Sequence, residues 1–238
     1  MKRFWNDVTV DAGRGIRLDD RPVRTPGRAP LALPTVALAE AVAEEWRAVG
    51  ETVDPRAMPL TGLANAAIDR VAPHTDAFAR GLAAYGDSDL LYYRADDPAE
   101  LVSRQAAAWD PLLDWARDRY DVHFEPVAGV IHRAQSAATV ARLGDALASR
   151  DAFALAALSP IVTLTGTLVG ALALAEAAVD AESLWRAAHV DEDWQAEQWG
   201  NDPLAQDARA NKRRDYDAAA RFLVLAQLAD EADQPGLA

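Results

Sequence analysis

The densest group of chemistry-bearing side chains is "HVDEDWQAEQWGNDP", residues 189–203, with one histidine, five carboxylates and two tryptophans. Such residues serve metal ligation, acid/base catalysis or protein–protein contact. His189 precedes Glu192 by three positions and Asp193 by four, so either pair would share a helix face. Bridged di-iron bundles need Glu-x-x-His supported by glutamates from other helices. Here the order is reversed, and no Glu-x-x-His occurs elsewhere. Hydrolysis by paired carboxylates needs two acids facing a cleft. A carboxylate-based hydrolase or metal enzyme using the acidic cluster around Glu192 is therefore the alternative to a contact surface.

The spacing predicts one helix over 181–199. At 100° per residue, Glu192 falls inside an apolar stripe between Trp185 and Trp199. Asp193, Trp194 and Glu197 fall on the opposite, charged face. A large aromatic on a charged face is the kind of residue that anchors protein interfaces. Other catalytic signatures are missing: the chain has no Gly-x-x-x-x-Gly-Lys-[Ser/Thr], no Gly-x-Ser-x-Gly and no His-Glu-x-x-His. The basic run "NKRRD", 211–215, is expected to face solvent or pair with acids on its own helix.

Composition narrows the classes further. The formal charge of -13 disfavours nucleic acid and favours partners with basic patches. With no cysteine, disulfides, thiolate metal sites and Cys nucleophiles are excluded. No apolar stretch follows the basic residues of "MKRFWNDVTVDAG", so no secretory signal is expected there and the bacterial cytoplasm fits. Residues 155–175, "LAALSPIVTLTGTLVGALALA", carry no charge and are long enough to span a bilayer. The expectation is instead a buried central helix split at Ser159–Pro160, with Gly166 and Gly170 admitting close neighbours.

These segments sit in an α+β fold that is mostly α. Residues 1–95 read as a small α+β domain, β-rich over 1–33, and 96–238 as an all-helical domain. Thr35 opens the first helix. "DLLYYR", 89–94, reads as a strand returning to the N-terminal sheet. Asp97-Pro98-Ala99-Glu100 reads as a capped helix start, and Pro111 as a kink or restart. Further helices are expected at 136–149, 151–158, 160–178 and 203–229.

The order of motifs carries a resemblance. "AEEW" (43–46), "MPLTGLANAAID" (58–69), "DSDLLYYRA" (87–95), "QAAAWDPLLDWA" (105–116), "LTGTLVGALALA" (164–175) and "DEDWQAEQWGNDPLA" (191–205) follow one another. Together they resemble the F1-ATPase assembly chaperone family that binds the free α subunit of ATP synthase. The resemblance implies a monomeric, non-enzymatic protein with no cofactor and no membrane insertion, whose eukaryotic relatives work in the mitochondrial matrix. It implies a partner-binding element at Asp191, Glu192, Gln195 and Trp199, with Glu192 the first functional candidate. Trp194, at a position open to other aromatics, is expected to be an exposed contact. Asp202 is a further candidate beside a plain role as helix cap. Trp46 and Trp109 match the family too, but packing explains them.

Overall fold

The alternating runs near the N-terminus form strands in the computed structural model, which describes residues 1–200 and 202–229. β1 (Val8–Val10), β2 (Ile16–Leu18) and β3 (Arg21–Pro22) make an antiparallel sheet in the order β1-β2-β3. Val8 pairs with Leu18 and Val10 with Ile16, so the two-residue period sends Val8, Ile16 and Leu18 to one buried face. α1 (Val36–Arg47) packs on this sheet. The hydroxyl of Thr35 accepts from the Leu38 N–H at 3.1 Å and donates to the Leu225 carbonyl at 2.6 Å. Trp46 has the expected packing role, its ring 5.5 Å from that of Trp5. Glu45 reaches the start of α2 (Pro59–Ala66), accepting from the Leu60 and Thr61 amides at 2.8 and 2.7 Å. That carboxylate satisfies amides that a helix start leaves unpaired and meets the positive end of the helix dipole. Among the described residues, 1–75, 151–157 and 218–229 group into this compact unit.

Residues 76–150 and 158–217 form a second unit. It takes in most of α3 (Thr75–Ala83), then β4 (Tyr93–Arg94), α4 (Ala99–Tyr120), β5 (Val127–Ala128) and α5 (Ala137–Ala148). The segment 89–94 does not return to the N-terminal sheet. Leu90–Tyr92 forms a 3-10 turn, and β4 pairs in parallel with β5 as a separate sheet. Burial holds it there: the Tyr92 ring lies 5.3 Å from Phe124, and its hydroxyl donates to the Gly86 carbonyl. α4 also departs from expectation. Pro98, not Asp97, flanks its start, and no side chain caps it. The helix then runs through Pro111 unbroken, with Leu112, Leu113 and Ala116 buried beyond it. Their burial outweighs the amide that proline removes.

The long apolar run divides, but not where proline suggested. α6 (Ala152–Thr165) contains Pro160, and the break comes at Gly166, whose φ is +72°. Thr167 then caps α7 (Leu168–Ala175), accepting from the Gly170 N–H at 2.9 Å. Among the described residues no helix is long and apolar enough to cross a membrane. Every residue of α7 is buried. Gly170 does admit a close neighbour: a Cβ there would sit 2.4 Å from Cδ1 of Leu184 on α8 (Ala181–Ala188). Gly166 serves instead for its positive φ, which glycine adopts without strain.

One buried carboxylate seals this junction. Asp89 accepts from the Leu91 amide at 3.0 Å, the Val169 amide at 2.9 Å and the Thr167 hydroxyl at 3.1 Å. Burial pushes its pKa up to about 6, although these donors pull the other way. With the folded pKa above the unfolded one, the proton-linked stabilisation is complete below pH 3.8 and is lost as pH rises through about 6. Asp89→Ala would leave three buried donors without an acceptor. It should lower stability by about 3 kcal/mol in urea unfolding; an unchanged midpoint would show that the junction is held without it.

Candidate partner-binding surface

The opening motif does not lie on one helix. α8 ends at Ala188, α9 (Val190–Trp199) follows, and His189 sits between them with φ -118° and ψ 18°. The imidazole is buried, its ring centroid 3.8 Å from that of Trp185. Nδ1 lies 2.8 Å from the Trp185 carbonyl oxygen. A carbonyl only accepts, so Nδ1 carries the proton and Nε2 faces the Glu192 carboxylate at 3.8 Å. Burial lowers the His189 pKa, against the Trp185 carbonyl and Glu192, which pull it upward.

The break resets which side of α9 faces inward. Asp191 and Trp194, one turn apart, turn toward α4. Asp191 accepts from Nε2 of Gln105 at 2.7 Å, and Arg104 lies over the Trp194 ring, 4.9 Å from its centroid. Arg104 also donates to Glu197 at 2.7 Å. Trp194 is therefore a buried packing residue, not the exposed contact expected of it, and is only 8% exposed. Trp199, placed by the single-helix reading in the apolar stripe, is 79% exposed. Shifting the helix start exchanged the two tryptophans.

The outer side of α9 carries Glu192, Gln195, Ala196 and Trp199, the i, i+3, i+4, i+7 spacing of one face. These residues line a cleft of about 740 Å³ against α10 (Pro203–Gln227). Asp202 lies at its end and accepts from the Leu204 amide at 2.9 Å, so it caps α10 as well. From α10 come Arg209, Lys212 and Arg213. Arg209 pairs with Asp193, tying the helices together, while Arg213 bonds Glu182 at 2.6 Å and Asp217 at 2.8 Å. The buried Trp185 ring also lines the cleft, with the Arg213 guanidinium 5.2 Å from its centroid.

Four of the six candidates thus share one cleft: Glu192, Gln195, Trp199 and Asp202. Asp191 and Trp194 lie on the opposite side of α9 as its attachment to α4. The sequence did not mark Gln105, which is buried and spends both ends of its amide, Oε1 taking the Ala95 N–H at 2.8 Å. A glutamine four before Trp109 on the apolar side of a helix was the available signal, since a buried amide needs partners. Within "NKRRD", Arg213 pairs with Asp217 on its own helix, as expected, and also with Glu182 on α8, while Lys212 and Arg213 line the cleft. Among the described residues, no three His, Cys, Asp or Glu side chains are grouped to hold a metal ion.

A sequence model of the ATP12 chaperone protein family matches residues 2–117. The fission yeast Schizosaccharomyces pombe protein atp12, mitochondrial, is 24% identical over 216 residues, covering 84% of this chain and 74% of that protein. The crystal structure of Atp12 from Paracoccus denitrificans is 44% identical with a TM-score of 0.86, covering 95% of this chain and 98% of that one. The chain belongs to the ATP12 family of F1-ATPase assembly chaperones. The Atu1473 protein of Agrobacterium tumefaciens matches with 43% identity and a TM-score of 0.88, over 95% of this chain and 86% of that one. The family model stops at residue 117, well before the cleft.

The two tryptophans should respond in opposite ways in this ATP12 family member. Trp194→Ala should cost about 3 kcal/mol in urea unfolding. Trp199→Ala should stay within about 0.5 kcal/mol of the unaltered protein; equal losses would contradict the orientation of α9. A second test concerns acid. The folded pKa of His189 lies below its unfolded value of 6.5. Its contribution is thus complete above pH 6.5 and is lost as pH falls through the lowered folded value. Urea midpoints on either side of pH 6.5 should drop less in His189→Gln than in the parent protein.

Proposed function

We propose that this chain captures the unassembled α subunit of F1-ATPase and holds it until the β subunit displaces it, with no chemical step of its own. Membership of the ATP12 family supports the class of work. The observation that carries the reading is Trp199, 79% exposed beside Glu192 on a cleft of mixed charge. An aromatic ring held out on a well-anchored helix offers a partner a large apolar contact, and tryptophan is favoured at interface hot spots.

The physical logic is that of a reversible cover. A lone α subunit exposes apolar surface that its neighbour would bury, and such surface drives aggregation. A micromolar grip, about -8 kcal/mol, protects it and still yields to a tighter partner by mass action. The acidic side chains Glu192 and Asp202 would meet basic groups on the client, in keeping with a net charge of -13. In this reading the protein acts as a monomer in the bacterial cytoplasm, while the fission yeast relative is mitochondrial.

Glu192 is exposed, so its replacement leaves the fold intact. Glu192→Lys should keep the helical circular dichroism of the parent protein and lose about tenfold or more in affinity for isolated α subunit, roughly 1.4 kcal/mol. Light scattering of aggregating α subunit provides the readout. A well-folded Glu192→Lys protein that suppresses scattering as well as the parent would remove Glu192 from the surface.

A further inference from the structure

A second recess in the helical unit has a different chemistry from the α9–α10 cleft. It lies between α4 and α8, encloses about 570 Å³ and is walled by Ala108, Pro111, Leu112, Trp115, Val179 and Ala187. Its base is rigid: the Trp109 indole donates to the Ala187 carbonyl at 2.7 Å, pinning the last turn of α8 to α4. Trp115 is half-buried, its edge against Tyr120 at 5.5 Å, with part of the ring facing the groove. No carboxylate lines the groove, although the chain as a whole carries -13. The charged groups along it are two arginines, Arg104 and Arg186.

Those arginines are not equivalent. Arg104 is held by Glu100 at 2.9 Å and Glu197 at 2.7 Å. Arg186 donates once to the Ser183 hydroxyl at 3.2 Å and stands 4.0 Å from Glu182, whose carboxylate is held by Arg213 at 2.6 Å. The Arg186 side chain is 67% exposed and keeps donors for an incoming acceptor. An apolar slot with a cationic end and no anionic wall selects an apolar side chain next to a carboxylate.

We propose that the α4–α8 groove is a second docking site for the same client, taking a segment of the α subunit that carries apolar side chains followed by an acidic residue, which Arg186 binds. The proposal rests on the reading of this chain as an α-subunit chaperone. The two sites differ in charge: the cleft sets Glu192 and Asp202 among Arg209, Lys212 and Arg213, while the groove has no carboxylate and offers Arg186 to an acidic group. Two separate contacts raise avidity while each remains weak enough to be peeled away singly.

The test measures binding of isolated F1 α subunit to the full chain and to three variants: Arg186→Glu, Ala108→Phe and Glu192→Lys. Hydrogen exchange is followed in each complex. Arg186→Glu reverses an exposed charge and Ala108→Phe fills the groove; circular dichroism verifies that both fold. Each should weaken binding about tenfold, and amides of residues 104–115 and 183–190 should slow in the parent complex. If both variants bind within about twofold of the parent while Glu192→Lys fails, the groove is no part of the grip and the cleft reading survives. If the parent chain itself does not bind α subunit, both readings fall. Protection of the groove in a self-associated chain without α subunit would make a second copy the occupant and overturn the assignment.

Discussion

Everything at the candidate surface depends on one local constraint, the stacking and hydrogen bonding of His189 against Trp185. With Nδ1–H committed to the Trp185 carbonyl and the ring stacked on the indole, the chain leaves helical geometry for a single residue. A continuous helix over 181–199 would keep Trp185 and Trp199 on one face and turn Trp194 away. The break rotates α9, so that Trp194 goes beneath Arg104 and Trp199 goes out to solvent. A buried neutral imidazole is a poor place to put a charge, and the lowered pKa records that cost.

The inner face of α9 explains how so exposed an outer face is held still. Gln105, Arg104 and Arg209 fix Asp191, Glu197 and Asp193, and the Trp194 ring fills the space beneath. These contacts limit the freedom that α9 would lose on meeting a partner, and preorganisation of this kind turns a modest contact area into useful affinity. Polar pairs at exposed positions add little stability by themselves. Their effect is directional, since they decide which side of an amphipathic helix stays open. The ATP12 family relationship supplies the kind of partner such a side would meet.

Much of the architecture was legible in the chain. Thr35 marked the first helix because its hydroxyl caps Leu38, and the alternation of Val8, Ile16 and Leu18 marked a half-buried sheet. Asp202 announced the last helix by the same capping rule. Local rules failed where distant packing prevailed. Pro111 and Pro160 lie inside helices because burial around them exceeds the loss of one amide bond each. Tyr93 and Arg94 pair with Val127 and Ala128 because Tyr92 is drawn into the core beside Phe124, a contact between residues far apart in sequence. At the surface, the angles read from the sequence were wrong. The wheel assumed one axis through His189, and no propensity at that position announces the stacked imidazole that breaks it.

If α9 presents its Glu192–Trp199 side to the proposed α-subunit partner while its Asp191–Trp194 side stays on α4, the two indoles must report binding differently. Indole N–H resonances of the two tryptophans, followed by NMR as isolated α subunit is added, test it most directly. The Trp199 signal should shift or broaden while that of Trp194 stays in place. A shift confined to Trp194, or no change at either ring in a complex that forms, would contradict it.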